Sequence, residues 1–139
     1  MDTLSAPLPL AAPDGVAAAL LHEVAALLER LAADPGFSET IDLHGLPLTD
    51  AERSQLRQRL GDGEVDARLE IAGPTRITET AYAGVWWLRH ADADDRPVLE
   101  QIVVARVPAL LLAHPEDIVD AASRMAAELA SPGTPGDRP

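Results

Sequence analysis

The chain contains no cysteine. It can therefore form no disulfide, presents no thiolate nucleophile and cannot hold an iron–sulfur cluster through cysteine ligands. Lysine is absent too, all 11 basic residues being arginine. Schiff-base chemistry and a phosphate loop closed by a lysine are excluded with it. No stretch approaches the roughly 20 consecutive apolar residues that cross a bilayer, and Met1-Asp2-Thr3-Leu4-Ser5-Ala6-Pro7 has neither the positive start nor the apolar run of a secretory signal. A cytoplasmic location with no membrane partner is expected. Positive charge is also scarce, since 23 acidic residues against 11 basic ones give a formal net charge of −12. That balance argues against nucleic acid as a partner, because a phosphate backbone demands clustered positive charge.

What is present suits one folded domain. The 139 residues are 47% hydrophobic and 24% charged, an ordinary balance for a chain with a single core. Residues 1–13 carry three prolines and no periodicity, so they are expected to form a flexible leader. The Pro/Gly-rich stretch 131–139 reads as a disordered tail, leaving 14–130 as one domain.

Within it, Val16, Leu20, Leu21, Val24, Leu27, Leu28 and Leu31 recur at three- and four-residue spacing, predicting an Ala-rich helix with one wide apolar stripe. Asp14 is placed to cap it and Asp34-Pro35-Gly36 to end it. Thr40-Ile41-Asp42-Leu43 is a short strand or an extended lead-in. Thr49 with Glu52 three residues on spells a capping box, predicting a second helix that stops at Gly61. Val65, Ala67, Leu69 and Ile71 then alternate with Asp66, Arg68 and Glu70, the period of a strand with one buried face. Ile77-Thr78-Glu79-Thr80 predicts a second strand, and Val85-Trp86-Trp87-Leu88 a third that needs cover on both sides. After the polar turn Ala91–Pro97, Val98–Val107 is the longest strand candidate. Pro108 ends it, Ala109–Ala113 forms a short turn of helix, and Pro115-Glu116-Asp117 opens a final helix with Ile118, Val119, Ala122, Met125, Ala126 and Leu129 as its inner face. Strands joined by short turns are antiparallel. The expected class is α+β, a mainly antiparallel sheet of three to five strands with two or three helices packed on one face.

Candidate chemistry is sparse. His22, His44, His90 and His114 lie in different predicted elements without ligand spacing, so they read as surface or capping histidines and no metal is expected. Asp92-Ala93-Asp94-Asp95 lacks the glycine and closing glutamate of a calcium loop and reads as a solvated turn. Gly61-Asp62-Gly63 follows a helix and precedes a strand, the wrong order for a dinucleotide fingerprint. Glu79, with Asp62 and Glu64 as second acids, is the one conceivable acid–base centre, but no nucleophile, metal set or phosphate loop accompanies it. In Trp86-Trp87 the two side chains must point to opposite faces, so only one enters a core beneath the helices. The other is covered by a loop or terminus, or by a partner protein, for which tryptophan is a favoured anchor.

Ile41-Asp42-Leu43 with Leu46-Pro47-Leu48-Thr49, then Leu60-Gly61-Asp62-Gly63-Glu64-Val65, Ile77-Thr78-Glu79-Thr80-Ala81-Tyr82-Ala83-Gly84-Val85-Trp86, and Val107-Pro108 before Pro115-Glu116-Asp117-Ile118 resemble the C-terminal domain of the HupH/HyaF family of hydrogenase expression/formation proteins. The resemblance covers roughly Asp14 to Leu129. It implies an accessory or chaperone role in maturing uptake [NiFe]-hydrogenase, attending the iron–sulfur small subunit before assembly, with other maturation proteins as further partners. No catalytic residue and no cofactor are implied. The longer members have an N-terminal extension, so this chain is expected to be a minimal or paralogous version.

The favoured reading is thus a non-catalytic client-binding protein whose acidic surface and sheet region, through Glu64, Glu79, Thr80, Tyr82, Trp86 and Trp87, hold another polypeptide. A weaker extension has that acidic surface attract the arginine pair of an export signal. The alternatives are an acid–base hydrolase centred on Glu79, which requires a concave pocket around it, and a homodimeric structural module using Val98–Val107 as an edge strand.

Overall fold

The computed structural model describes residues 15–131, and the leader, the Asp14 cap and all of the tail but Ser131 fall outside the described residues. Two compact units follow one another along the chain, dividing between Pro108 and Ala109.

The first unit opens with α1 (Gly15–Ala33), which buries Ala17, Leu20, Val24, Leu27 and Leu31, the helical face that the spacing predicts. Asp34 stops it, its carboxylate accepting from the Gly36 amide at 3.0 Å. After β1 (Glu39–Asp42), α2 (Asp50–Leu60) begins at the capping box, with the Thr49 side chain accepting from the Glu52 amide and the Glu52 carboxylate from that of Thr49. Leu56 and Leu60 are its buried residues; apart from Ala51 the rest of the helix is polar. Four strands follow: β2 (Asp66–Glu70), β3 (Pro74–Glu79), β4 (Val85–Ala91) and β5 (Pro97–Val104).

All pairings are antiparallel, in the order β1-β5-β4-β3-β2. The class is α+β, as expected. Consecutive strands β2 to β5 form a meander, and β1 closes the sheet beyond β5. The helices pack on one face, where Leu20, Leu27, Leu31, Leu56 and Leu60 meet Ile41, Val85, Trp87, Ile102 and Val104. On the opposite face Ile77, Trp86, Leu88 and Val103 are buried as well. β4 lies at the centre of the sheet, which is why it carries large apolar side chains in both directions, as the end of its neighbour β5 also does.

Several expectations need correction. Val98–Val107 is not an edge. Its strand ends at Val104 and is flanked by β4 on one side and, along Gln101–Val104, by β1 on the other, so that stretch offers no free row of backbone groups to a second copy. The alternation in β2 is real, but Val65 and Ile71 are 42% and 47% exposed because β2 is itself the outer strand. In the second unit, a 3₁₀ turn at Ala109–Leu111 precedes α3 (Pro115–Ala130). His114 caps α3 through its ring nitrogen, with proline next and acids in the first turn. Its intended inner face is exposed, however, Ile118, Val119, Met125 and Leu129 lying 55–74% open. Apolar periodicity reports that a helix has a stripe, not what covers it.

Candidate functional site

The residues singled out by sequence fall into one structural corner. Gly61 ends α2 with φ +68°, and the chain doubles back so closely along β3 that the Gly63 amide donates to the Glu79 carbonyl at 2.8 Å and the Glu79 amide to the Val65 carbonyl at 2.9 Å. The Glu79 carboxylate also accepts from the Glu64 amide at 3.2 Å. A β-carbon at position 63 would sit 2.4 Å from the Thr80 carbonyl oxygen, so only glycine permits this approach. Thr80, 1% exposed, donates its hydroxyl to the Val85 carbonyl at 2.9 Å and accepts from the Tyr82 amide at 3.1 Å, tying down the turn that delivers Trp86 and Trp87.

The corner therefore sorts the six candidates. Glu64 and Tyr82 are exposed, Glu79 is half-buried, and Thr80, Trp86 and Trp87 are buried. Both tryptophans are covered within the chain itself, and each indole is paired: Trp86 Nε1 donates to the Ala105 carbonyl at 3.1 Å and Trp87 Nε1 to Glu100 Oε2 at 2.9 Å. The acid–base reading required Glu79 in a concave pocket. Its carboxylate instead serves the Glu64 amide, and Glu79 does not line the cleft beside it.

That cleft, about 740 Å³, opens between α2 and the helix-facing side of β3, β4 and β5. It is lined by Arg53, Arg57 and Asp62 from α2 and its end, and by Arg76, Thr78, Trp87, Arg89 and Glu100 from the sheet. Sheet register builds it. Arg68 stands opposite Arg76, Arg76 opposite Arg89, and Arg89 opposite Glu100, so one row across four strands reads Arg-Arg-Arg-Glu on a single face.

The cleft arginines are held by three devices, a shared acid, a ring and a two-point fork. Arg53 pairs with Glu100, and the Nε of Arg89 lies 3.8 Å from the same carboxylate. Arg57 rests over the Trp87 ring, 5.0 Å from its centroid, and donates to Thr78 Oγ1 at 3.3 Å. Arg76 grips Asp66 through two parallel bonds of 3.0 and 2.8 Å, which hold the Asp66 carboxyl below the usual carboxylate range, against an opposing effect of burial. The sequence reading missed these residues. Arg53 and Arg57, one helical turn apart on a helix with few apolar residues, were its one available signal.

Among the described residues no group of histidines or acids is arranged to hold a metal ion, and no helix is long and apolar enough to cross a membrane. Asp92 Oδ1 accepts from the amides of Asp94 and Arg96, both at 2.9 Å, making its acidic run a tight turn.

Comparison with known proteins shows what this arrangement is similar to. A solved structure titled hydrogenase expression protein HupH from Thiobacillus denitrificans superposes with a TM-score of 0.79 at 38% identity, covering 84% of this chain and 97% of that one. The hydrogenase-1 operon protein HyaF of Escherichia coli is 35% identical over 76% of this chain and 36% of its own length. The hydrogenase expression/formation protein HupH of Rhodobacter capsulatus is 34% identical over 73% of this chain and 38% of its own. The chain thus matches little more than a third of these curated relatives. The family model described as the HupH hydrogenase expression protein, C-terminal conserved region, matches residues 16–131, and the chain belongs to that family.

Proposed function

We propose that this chain is an accessory protein of hydrogenase maturation, a chaperone acting in the cytoplasm that binds the iron–sulfur small subunit before assembly and makes or breaks no bonds. The observation that carries the reading is the shared family: relatives in three different organisms, alike over most of this chain, are titled hydrogenase expression, formation or operon proteins. The corner offers a surface for such a client. Glu64 and Tyr82 project from a turn that Gly63 and Thr80 make rigid, and rigid presentation lowers the ordering cost of binding. Thr80, Trp86 and Trp87 then contribute by setting the shape of that surface from beneath, and Glu79 by fixing the backbone at Glu64. The absence of cysteine suits a protein that shields a client rather than one that carries clusters.

The test is a pull-down with the tagged chain from cells maturing an uptake hydrogenase. Recovery of the small subunit, reduced by Glu64→Arg with Tyr82→Ala, is the expected result. Retention of no hydrogenase subunit by the folded wild-type chain would overturn the reading.

A further inference from the structure

The cleft between α2 and the sheet opposes the rest of the molecule in sign. Its lining holds four arginines against Asp62 and Glu100, in a chain whose net charge is −12. Glu100, Asp62 and Asp66 offset part of this charge, Asp62 lying 3.9 Å from Arg57, but three acids face five arginines once Arg68 is included. Like charges directly opposite on neighbouring strands, or one turn apart on a helix, are destabilising. Yet Arg68, Arg76 and Arg89 face one another across β2, β3 and β4, and Arg53 and Arg57 stack one turn apart on α2. The helix dipole accounts for a basic residue in the last turn of α2; it says nothing of a row on the sheet.

The arginines are also pre-positioned with donors to spare. A guanidinium has five N–H donors. Arg57 spends one on Thr78, and Arg89 stands 3.8 Å from its acid, beyond hydrogen-bond reach. Glu100, Trp87 and Asp66 fix Arg53, Arg57 and Arg76 in place, so a ligand would meet orientations already set.

We infer that this cleft binds an acidic peptide segment, whose carboxylates are taken by Arg53, Arg57, Arg76 and Arg89. The inference deepens the proposed function, and rests on it only for the source of the peptide. Two observations select the class. The aromatic residue of the lining, Trp87, is 3% exposed with Arg57 over its ring, leaving no face for a nucleobase to stack on. The arginines are spread over α2, β3 and β4 around 740 Å³, which suits several carboxylates along a chain better than one compact anion. The fork between Arg76 and Asp66 shows the same row already holding a carboxylate in two-point geometry.

The two tryptophans make the test internally controlled. Trp87 donates its indole N–H to Glu100 on the cleft floor, while Trp86 donates its own to Ala105 on the opposite face of the sheet. The full chain, labelled with nitrogen-15, is titrated with a hexaglutamate peptide and separately with inorganic pyrophosphate. The peptide should move the Trp87 indole signal and leave that of Trp86 in place, with affinity falling as salt rises. In the Arg57→Gln, Arg89→Gln double variant the affinity should drop by about tenfold or more. The side chains of Arg57 and Arg89 are 37% and 61% exposed, so the fold should survive. If the double variant loses its dispersed spectrum, Arg89→Gln alone gives the same reading with a smaller drop. An unmoved Trp87 signal, equal movement of both indoles, unchanged affinity in the folded variant, or saturation by pyrophosphate but not by peptide would each sink the inference. Peptide binding with no small subunit in the pull-down retires the proposed function and leaves this site standing; the converse retires the site alone.

Discussion

The indole N–H of Trp87 donates to Glu100 Oε2 at 2.9 Å, and the same carboxylate receives Arg53 and lies 3.8 Å from Arg89. One acid, with a side chain only 13% exposed, thereby joins the hydrophobic core to the arginine row. Glu100→Gln keeps the shape but removes the charge that offsets two guanidinium groups. It should cost about 2 kcal/mol in urea unfolding, within the range for hydrogen bonds to charged groups. A change below about 0.5 kcal/mol would mean the pair behaves as an ordinary surface contact.

Gly63 meets a harder limit. Its missing β-carbon would lie 2.4 Å from the Thr80 carbonyl and 2.7 Å from Glu79 Oε1, and the first of these is backbone that cannot rotate away. Gly63→Ala should therefore destabilise the chain by about 2 kcal/mol or more. At Gly45 a β-carbon meets nothing within 4 Å, so Gly45→Ala should stay within about 0.5 kcal/mol. Paired thermal melts of the two variants check both, and equal midpoints would contradict the close approach at Gly63.

These two sites mark where the sequence is readable and where it is not. Thr49 and Glu52 announce the start of α2 because a capping box is local. Val85 to Leu88 announce a doubly covered strand because no half-exposed one tolerates apolar groups on both sides. The motif around Gly61 to Glu64 and Glu79 to Gly84 is distinctive in sequence, and the structure explains it as backbone interlocking that buries much of what looks functional. The cleft is another matter. Arg53, Arg76, Arg89 and Glu100 come together only through strand register, and a one-residue slip would send the sheet members to the other face. The exposed stripe of α3 is legible as amphipathic; what covers it depends on something outside the helix.

Thr80 tests whether the corner is held by its side chain or by backbone alone. Its hydroxyl bridges the Tyr82 amide and the Val85 carbonyl at a position 1% exposed. Thr80→Val preserves volume but leaves the Tyr82 amide without that acceptor. A loss of about 1–3 kcal/mol is expected, the range for a buried polar group left unpaired. Hydrogen exchange should show the Tyr82 amide exchanging faster in the variant. Unchanged protection there would mean the backbone closes the turn unaided.

Asp66 supplies the pH signature of the arginine row. Its carboxyl is held low chiefly by the hydrogen bonds from Arg76, with the charges of Arg76, Arg68 and Arg57 adding to the effect, and Arg76 is correspondingly raised. A group whose folded value lies below its unfolded one lends stability above the unfolded value, about 3.9 for aspartate. That contribution is lost as the pH falls through the lower folded value. The pair should therefore be intact from neutral pH down to about pH 4 and dissolve only below it. Carbon-13 titration of the Asp66 carboxyl should give a midpoint under the ordinary aspartate range, and Arg76→Gln should return it upward. The shift that remains in that variant reports the charges of Arg68 and Arg57 set against the opposing effect of burial. If Arg76→Gln leaves the midpoint unmoved, the two-point fork between these strands does not persist in solution, and the row lacks the fixed geometry that peptide binding requires.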